Sequence, residues 1–190
     1  MTQVQANGIA IEYDEHGDAA APPILLVMGL GAQMTLWPQE LVEALVERGF
    51  RVIRYDNRDI GLSHKFDDAK APGIVKLMLL SKIGFKPKVP YTLADMADDG
   101  IGLLDALGID KAHIVGASMG GMIAQHMAFS HPERVLTLTS IMSTTGNRRL
   151  PRARKEAMQV LANRPMGGDP EAMIAYSVRA SSPIRTPPQV

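Results

Sequence analysis

Five consecutive residues, Gly116-Ala117-Ser118-Met119-Gly120, have the types and spacing for nucleophilic chemistry. The pattern G-x-S-x-G stands directly between an apolar run at 112–115 and an amphipathic stretch at 119–130, the strand-to-helix setting that gives it meaning. A serine there sits on a sharp, strained turn that lifts its hydroxyl above the sheet. The glycines two before and two after it let strand and helix pack closely. The helix that starts at Met119 directs its amino-terminal dipole toward developing negative charge. The backbone N–H of Met119 is then placed to donate to an oxyanion, commonly the largest single catalytic term in acyl transfer. Five small residues also match by chance in strand–helix turns, so the weight of the reading lies in the flanks.

A hydroxyl is a poor nucleophile until a base takes its proton. The histidines are His16, His64, His113, His126 and His131. His126 is eight positions along the helix, about 12 Å of axial rise from Ser118. His113 is five positions back along the strand, roughly 16 Å away. His131 is farther than His126, and all three read as surface or packing residues. His64 differs, because it follows a core strand at the same rim of the sheet as Ser118. Glu156, Asp169 and Glu171 fall in a helical tail and read as solvated charges. Asp56, Arg58 and Asp59 read as residues that fix a strand-end loop by hydrogen bonds and ion pairs.

The elements that must position this serine alternate along the chain. Asn7-Gly8 between residues 4–6 and 9–13 signals a tight hairpin, since both turn positions need positive φ. Residues 24–28 form a continuous apolar run, as expected for a strand buried on both faces of a parallel sheet. A helix is predicted from about Pro38, at its first position, to Gly49 just past its end. Leu41, Val42, Leu45 and Val46 form its apolar stripe. Residues 52–55 are the next strand. Leu93, Ala97, Ile101 and Leu104 define a helix closed by Gly108. Residues 112–115 and 135–141 are two further core strands. The predicted class is α/β, a doubly wound, mostly parallel sheet with an amino-terminal β-hairpin. Residues 65–91 form a long connection with an apolar patch at 74–83, suited to a helix or a lid. After Leu150 the chain turns basic and shows helical patterns near 152–162 and 170–180. The domain reading is a core at 1–148 and the start of a helical cap at 149–190.

Composition narrows the possibilities. Over 190 residues, 20 basic and 20 acidic residues give a net charge of zero, which provides no electrostatic footprint for nucleic acid or an anionic membrane surface. The chain has no cysteine, hence no disulfide and no thiolate nucleophile or metal ligand. No signal-like segment opens the sequence and no apolar run approaches the roughly 18 residues of a membrane span, so a cytoplasmic location is expected. A second glycine turn, Met28-Gly29-Leu30-Gly31, follows the first buried strand. One reading of it is a dinucleotide fingerprint with Asp56 at the end of the next strand, but Met34 stands where the third glycine belongs. No lysine followed by serine or threonine makes it a phosphate loop.

Taken together, residues 27–31, Trp37-Pro38, residues 55–63, residues 116–121 and His131-Pro132-Glu133-Arg134 resemble the α/β-hydrolase fold family, in its esterase, lipase and aromatic-polyketide methylesterase branch. The likeness covers residues 4–150 and, more loosely, the chain to 183. It implies Ser118 as nucleophile and the backbone amides of Leu30 and Met119 as oxyanion hole. Met28 stands where many relatives carry histidine, which alters the loop's hydrogen bonding without removing the amide. The family order is serine, acid, histidine, and no histidine follows the last predicted strand. That order also counts against His64. The expectation is therefore a serine hydrolase for a small, apolar carboxylic ester, with no metal or organic cofactor, truncated before its acid and histidine. Truncation would leave the edge beside 135–141 unpaired. A cofactor-free haloperoxidase shares the serine constellation, and a noncatalytic remnant or binding scaffold is the alternative of a different class. Oligomeric state is not encoded in any of these features.

Overall fold

The computed structural model describes residues 2–67, 89–147 and 149–150, together with residues 159, 171, 174–176 and 178. Packing divides the chain into two units, Met1–Thr145 and Gly146–Val190. The first holds every element named below. The long connection's apolar patch at 74–83 lies outside the described residues. So do most of the two tail helices, although residues 159, 171, 174–176 and 178 are helical.

Strands β1 (Thr2–Ala6) and β2 (Ile9–His16) pair antiparallel about a turn with φ of 48° at Asn7 and 78° at Gly8. Strand β3 (Pro23–Val27) is followed by a short 3-10 turn at Met34–Leu36 and by helix α1 (Gln39–Glu47). Strand β4 (Arg51–Tyr55), helix α2 (Leu93–Ala106), strand β5 (Ala112–Ala117), helix α3 (Met119–Ser130) and strand β6 (Val135–Ile141) complete the unit. The sheet order is β1-β2-β4-β3-β5-β6. Strands β4, β3, β5 and β6 run parallel, and β2 joins β4 antiparallel. The fold is thus α/β with a mixed, mostly parallel six-stranded sheet.

Period-two alternation explains why β3 reads as one apolar run. Leu25 and Val27 face a core shared with α2 and α3, including Ile101, Leu104, Ile123 and Met127. Ile24 and Leu26 face the opposite layer with Trp37, Val42 and Val52. Both faces are dry, so neither can be polar. In α1 only Val42 of the predicted stripe is fully buried, with Leu45 and Val46 partly so and Leu41 exposed. Pro38 lies just outside α1, with ψ of 133°, and its carbonyl accepts from the N–H groups of Leu41 and Val42. Gly49 and Gly108, at φ of 81° and 68°, end α1 and α2. After each, the next N–H bonds back across the last turn, Phe50 to the Leu45 carbonyl and Ile109 to that of Leu104. Strand β3 stops one residue short of the predicted Met28, whose carbonyl instead accepts a side-chain N–H from Asn57.

Candidate active site

Ser118 joins β5 to α3 at φ 56° and ψ −119°. A non-glycine residue in such a conformation costs on the order of 1–3 kcal/mol and persists only where its surroundings over-determine it. Here the backbone does so from both sides. The Ser118 N–H donates to the Ile141 carbonyl at 2.9 Å, and its carbonyl accepts from Gly121 N–H at 3.0 Å. The glycines make this approach possible. A β-carbon on Gly116 would lie 2.5 Å from the Gly120 carbonyl carbon and 2.7 Å from Gly121 Cα. One on Gly120 would collide with the Val27 carbonyl oxygen, and one on Gly121 would lie 2.6 Å from Ser143 Cβ. Helix α3 therefore rests directly on the backbones of β5 and β3.

The Ser118 side chain faces the turn after β3. A β-carbon at Gly29 would lie 3.1 Å from both Ser118 Cβ and the Ala117 carbonyl oxygen, tight contacts that glycine avoids, and 3.5 Å from Ser118 Oγ. Ser118 is half-buried, and no side chain among the described residues hydrogen-bonds its hydroxyl. Leu30, the next residue of that turn, is exposed, and Gly31 adopts φ of 65°. The turn is anchored from below by Asn57 Nδ2 donating to the Met28 carbonyl at 2.9 Å and by Asp56 Oδ1 accepting from Met34 N–H at 2.7 Å. Helix α3 carries no acidic residue in its first turn, so nothing there offsets the positive end of its dipole.

The loop after β4 is a hydrogen-bonded scaffold. Arg58 forms a two-pronged ion pair with buried Asp99, at 2.6 Å for each prong. Burial works to lower the Arg58 pKa, but the hydrogen bond and charge of Asp99 outweigh it and raise it. Asp59 accepts from Phe66 N–H at 2.7 Å and from the Tyr91 hydroxyl. Burial, then that bond to Asp59, pushes the Tyr91 phenol up to about 12. Three residues with roles here were not singled out from the sequence. Asn57 anchors the Met28 carbonyl, Ser63 bridges the Glu12 N–H and the Asp56 carbonyl, and Asp99 also accepts from Asn7 Nδ2. Asn57 and Ser63 do lie inside the motif at 55–63, which was their only signal.

None of the five histidines hydrogen-bonds Ser118 among the described residues. His113 Nδ1 pairs with Thr137 Oγ1 at 2.8 Å, and His131 Nε2 with Asp98 at 2.8 Å. His16 lies 3.4 Å from Asp14, and His126 packs on Phe129. His64 is exposed and stacks edge-on against Phe66 at 4.7 Å, while its backbone bonds Ala10 and Asp59. Glu171 is exposed in the second unit, and Glu156 and Asp169 lie outside the described residues. The dinucleotide reading loses its physical basis. The turn at Gly29–Gly31 leads into a 3-10 turn, not a helix amino terminus, and the Asp56 carboxylate is already engaged by the Met34 and Leu62 amides. Among the described residues no three His, Cys, Asp or Glu side chains cluster as metal ligands, and no helix is long and apolar enough to cross a membrane.

Residues 22–172 match the sequence model of the alpha/beta hydrolase fold. The chain belongs to that family. Among curated relatives, it is 38% identical over 126 residues to the rhodomycin D methylesterase DauP of Streptomyces sp. (strain C5), covering 66% of this chain and 36% of the relative. It is 34% identical over 131 residues to the putative carbamate hydrolase RutD of Variovorax paradoxus (strain S110), covering 69% and 41%. The solved enol-lactonase of Burkholderia xenovorans LB400 superposes with a TM-score of 0.61 at 26% identity, over 85% of this chain and 54% of that one. The chain thus spans little more than a third to two fifths of the length of these curated relatives.

Proposed function

We propose that this chain carries the nucleophilic half of a serine hydrolase for carboxylic esters. Ser118 attacks the ester carbonyl, and the backbone N–H groups of Leu30 and Met119 hold the oxyanion. The supporting observation is the serine itself, held at positive φ between β5 and α3 with its hydroxyl against Gly29. A methylesterase and a carbamate hydrolase among the relatives agree with acyl-transfer chemistry at such a residue. Residues 149–190 are read as the start of a helical cap. The attack forms a bond from Oγ to the carbonyl carbon, and the hydroxyl proton must leave to a base. No histidine hydrogen-bonds Ser118 among the described residues, so that base and its acid are proposed to come from outside these residues. The same fact favours the second reading, a binding scaffold that keeps the turn without turnover.

Chemical rescue distinguishes the two. The 190-residue chain is treated with a fluorophosphonate probe with and without added imidazole, which substitutes for a missing general base. Slow labelling at Ser118, accelerated by imidazole and abolished in Ser118→Ala, is the expected result. Labelling that survives Ser118→Ala overturns the nucleophile. Fast labelling without imidazole, titrating near pH 6.5, overturns the external base. No labelling under either condition makes the chain a scaffold.

A further inference from the structure

The two edges of the sheet differ in chemistry. Strand β1 exposes Thr2, Gln3 and Gln5, all polar. Strand β6 has neither a charged residue nor a proline over its seven residues, the usual means by which an edge strand refuses a partner. Leu136, Leu138 and Ile141 are instead 47%, 40% and 38% exposed. The backbone of β6 is equally open. The Ile141 carbonyl faces β5, where it accepts from Ser118 N–H, so by strand alternation the N–H and carbonyl groups of Leu138 and Ser140 point away from β5. Among the described residues no strand pairs with that outer side. Leu138 lies beside Ile114 on the sheet face covered by α3, and on the same face Ser140 Oγ accepts from Gln125 Nε2 at 3.2 Å. Phe129, one turn further along α3 than Gln125, is 71% exposed. Apolar side chains therefore continue from the open edge onto the helix above it.

We infer that β6 pairs antiparallel with β6 of a second copy of this chain, about a two-fold axis at Leu138. The strand is complementary to itself in that register. Leu138 faces its symmetry mate, Thr137 faces Thr139, Leu136 faces Ser140 and Val135 faces Ile141. The outward backbone groups of Leu138 then exchange both hydrogen bonds with those of its mate, and those of Ser140 meet the other copy in the same way. Thr137 and Thr139 form the closer, non-hydrogen-bonded pairs, a favourable place for two threonines. No like charges oppose each other along the strand. Just beyond it Arg134 falls opposite Met142, and its guanidinium is already held by Asp105 at 2.6 Å. A net charge of zero adds no long-range repulsion between copies. The pairing is isologous, so it uses up the β6 edge of both copies and stops at a dimer. The paired strands with Phe129 and Leu138 along the seam bring the buried surface to about 1,000 Å², the lower limit of a specific interface, so a dissociation constant on the order of 10 µM is expected. The inference concerns the sheet edge alone and does not depend on the role of Ser118.

Sedimentation equilibrium of the whole 190-residue chain tests the pairing. Between about 1 and about 300 µM a monomer–dimer equilibrium is expected, with amide exchange at Leu138 and Ser140 slowing as the dimer forms. Leu138→Lys and Leu138→Glu each set like charges against each other at the axis, and each alone is expected to weaken association about 10-fold or more. Mixed in equal amounts, the two variants are expected to associate again, a rescue that misfolded chains cannot give. Ser140→Pro removes only an outward N–H, which an edge strand tolerates, and is expected to weaken the dimer about 5- to 10-fold. A chain that stays monomeric at the highest concentration overturns the pairing. So does slow exchange at Leu138 and Ser140 that is independent of concentration, because the chain itself then covers the edge. Growth beyond the dimer, or a dimer indifferent to charge at residue 138, overturns the two-fold register.

Discussion

The two loops at the carboxyl ends of β4 and β5 lie on one rim of the sheet, on either side of β3, yet they treat polar groups in opposite ways. After β4, the charged groups of Asp56, Arg58 and Asp59 are taken up by Met34, Leu62, Asp99, Phe66 and Tyr91, over sequence separations as long as 41 residues. After β5, the one polar side chain is a hydroxyl fixed entirely through its own backbone and left unengaged among the described side chains. A polar group with its partners already in place is scaffold, because using it for chemistry would first break those bonds. A polar group immobilised by main chain alone keeps its reactivity. This contrast, more than the motif, separates Ser118 from the richer cluster of ionisable residues nearby.

The sharpest way to break the contrast is to remove one partner from the closed loop. Arg58→Ala leaves Asp99, 1% exposed, as an uncompensated buried charge. The expected loss is about 3–5 kcal/mol, read from urea unfolding. Replacing both residues together, Arg58→Met with Asp99→Leu, is expected to cost much less, because no charge is then stranded. A single variant that loses under about 1 kcal/mol would show that solvent reaches the pair, as it does at exposed ion pairs.

The open loop is expected to respond with the opposite sign. Ser118→Gly relieves the positive φ, and after the extra chain entropy of glycine the net gain is about 1 kcal/mol. Ser118→Ala keeps the strain and gains nothing, so thermal unfolding of the two variants separates conformation from side chain. If both melt like the wild type, the turn is not strained and its geometry carries no stored cost.

How far the sequence reached follows the same division. The hairpin at Asn7-Gly8, the helix ends at Gly49 and Gly108 and the serine turn were legible because each is decided by a few adjacent residues and their φ preferences. Boundaries slipped where a distant group intervened. Residue 28 left its strand because Asn57 takes its carbonyl, a pairing across 29 residues. The Arg58–Asp99 pair was invisible for the same reason, since helical spacing places Asp99 among apolar neighbours without saying what it faces. The sheet's antiparallel flank, by contrast, followed directly from reading the hairpin.

The smallest effect tests whether the closed loop's reach extends to the start of α2. Thr92 caps that helix, its hydroxyl and N–H both donating to Asp95 Oδ2 at 2.7 Å, while Asp95 N–H donates back to Thr92 Oγ1 at 3.4 Å. The Asp95 carbonyl also accepts from Arg58 at 3.3 Å. The Thr92 hydroxyl, then the Thr92 N–H and the Arg58 charge, hold the Asp95 carboxyl below its ordinary value of 3.8. Because the folded-state pKa is the lower one, protonation favours the unfolded chain. The stabilisation is complete above the unfolded value and disappears as pH falls through the folded one. Asp95→Asn keeps the shape and removes the charge, and is expected to cost roughly 0.5 kcal/mol at neutral pH. Asp14, lowered by Arg54 and His16 against its own burial, titrates in the same direction but is present in both proteins and cancels in the difference. Unfolding measured at pH 7, 5, 4 and 3 should therefore show the two curves converging only at the acid end. A gap that stays constant to pH 3 would mean that hydrogen-bond shape, not charge, closes this end of the loop.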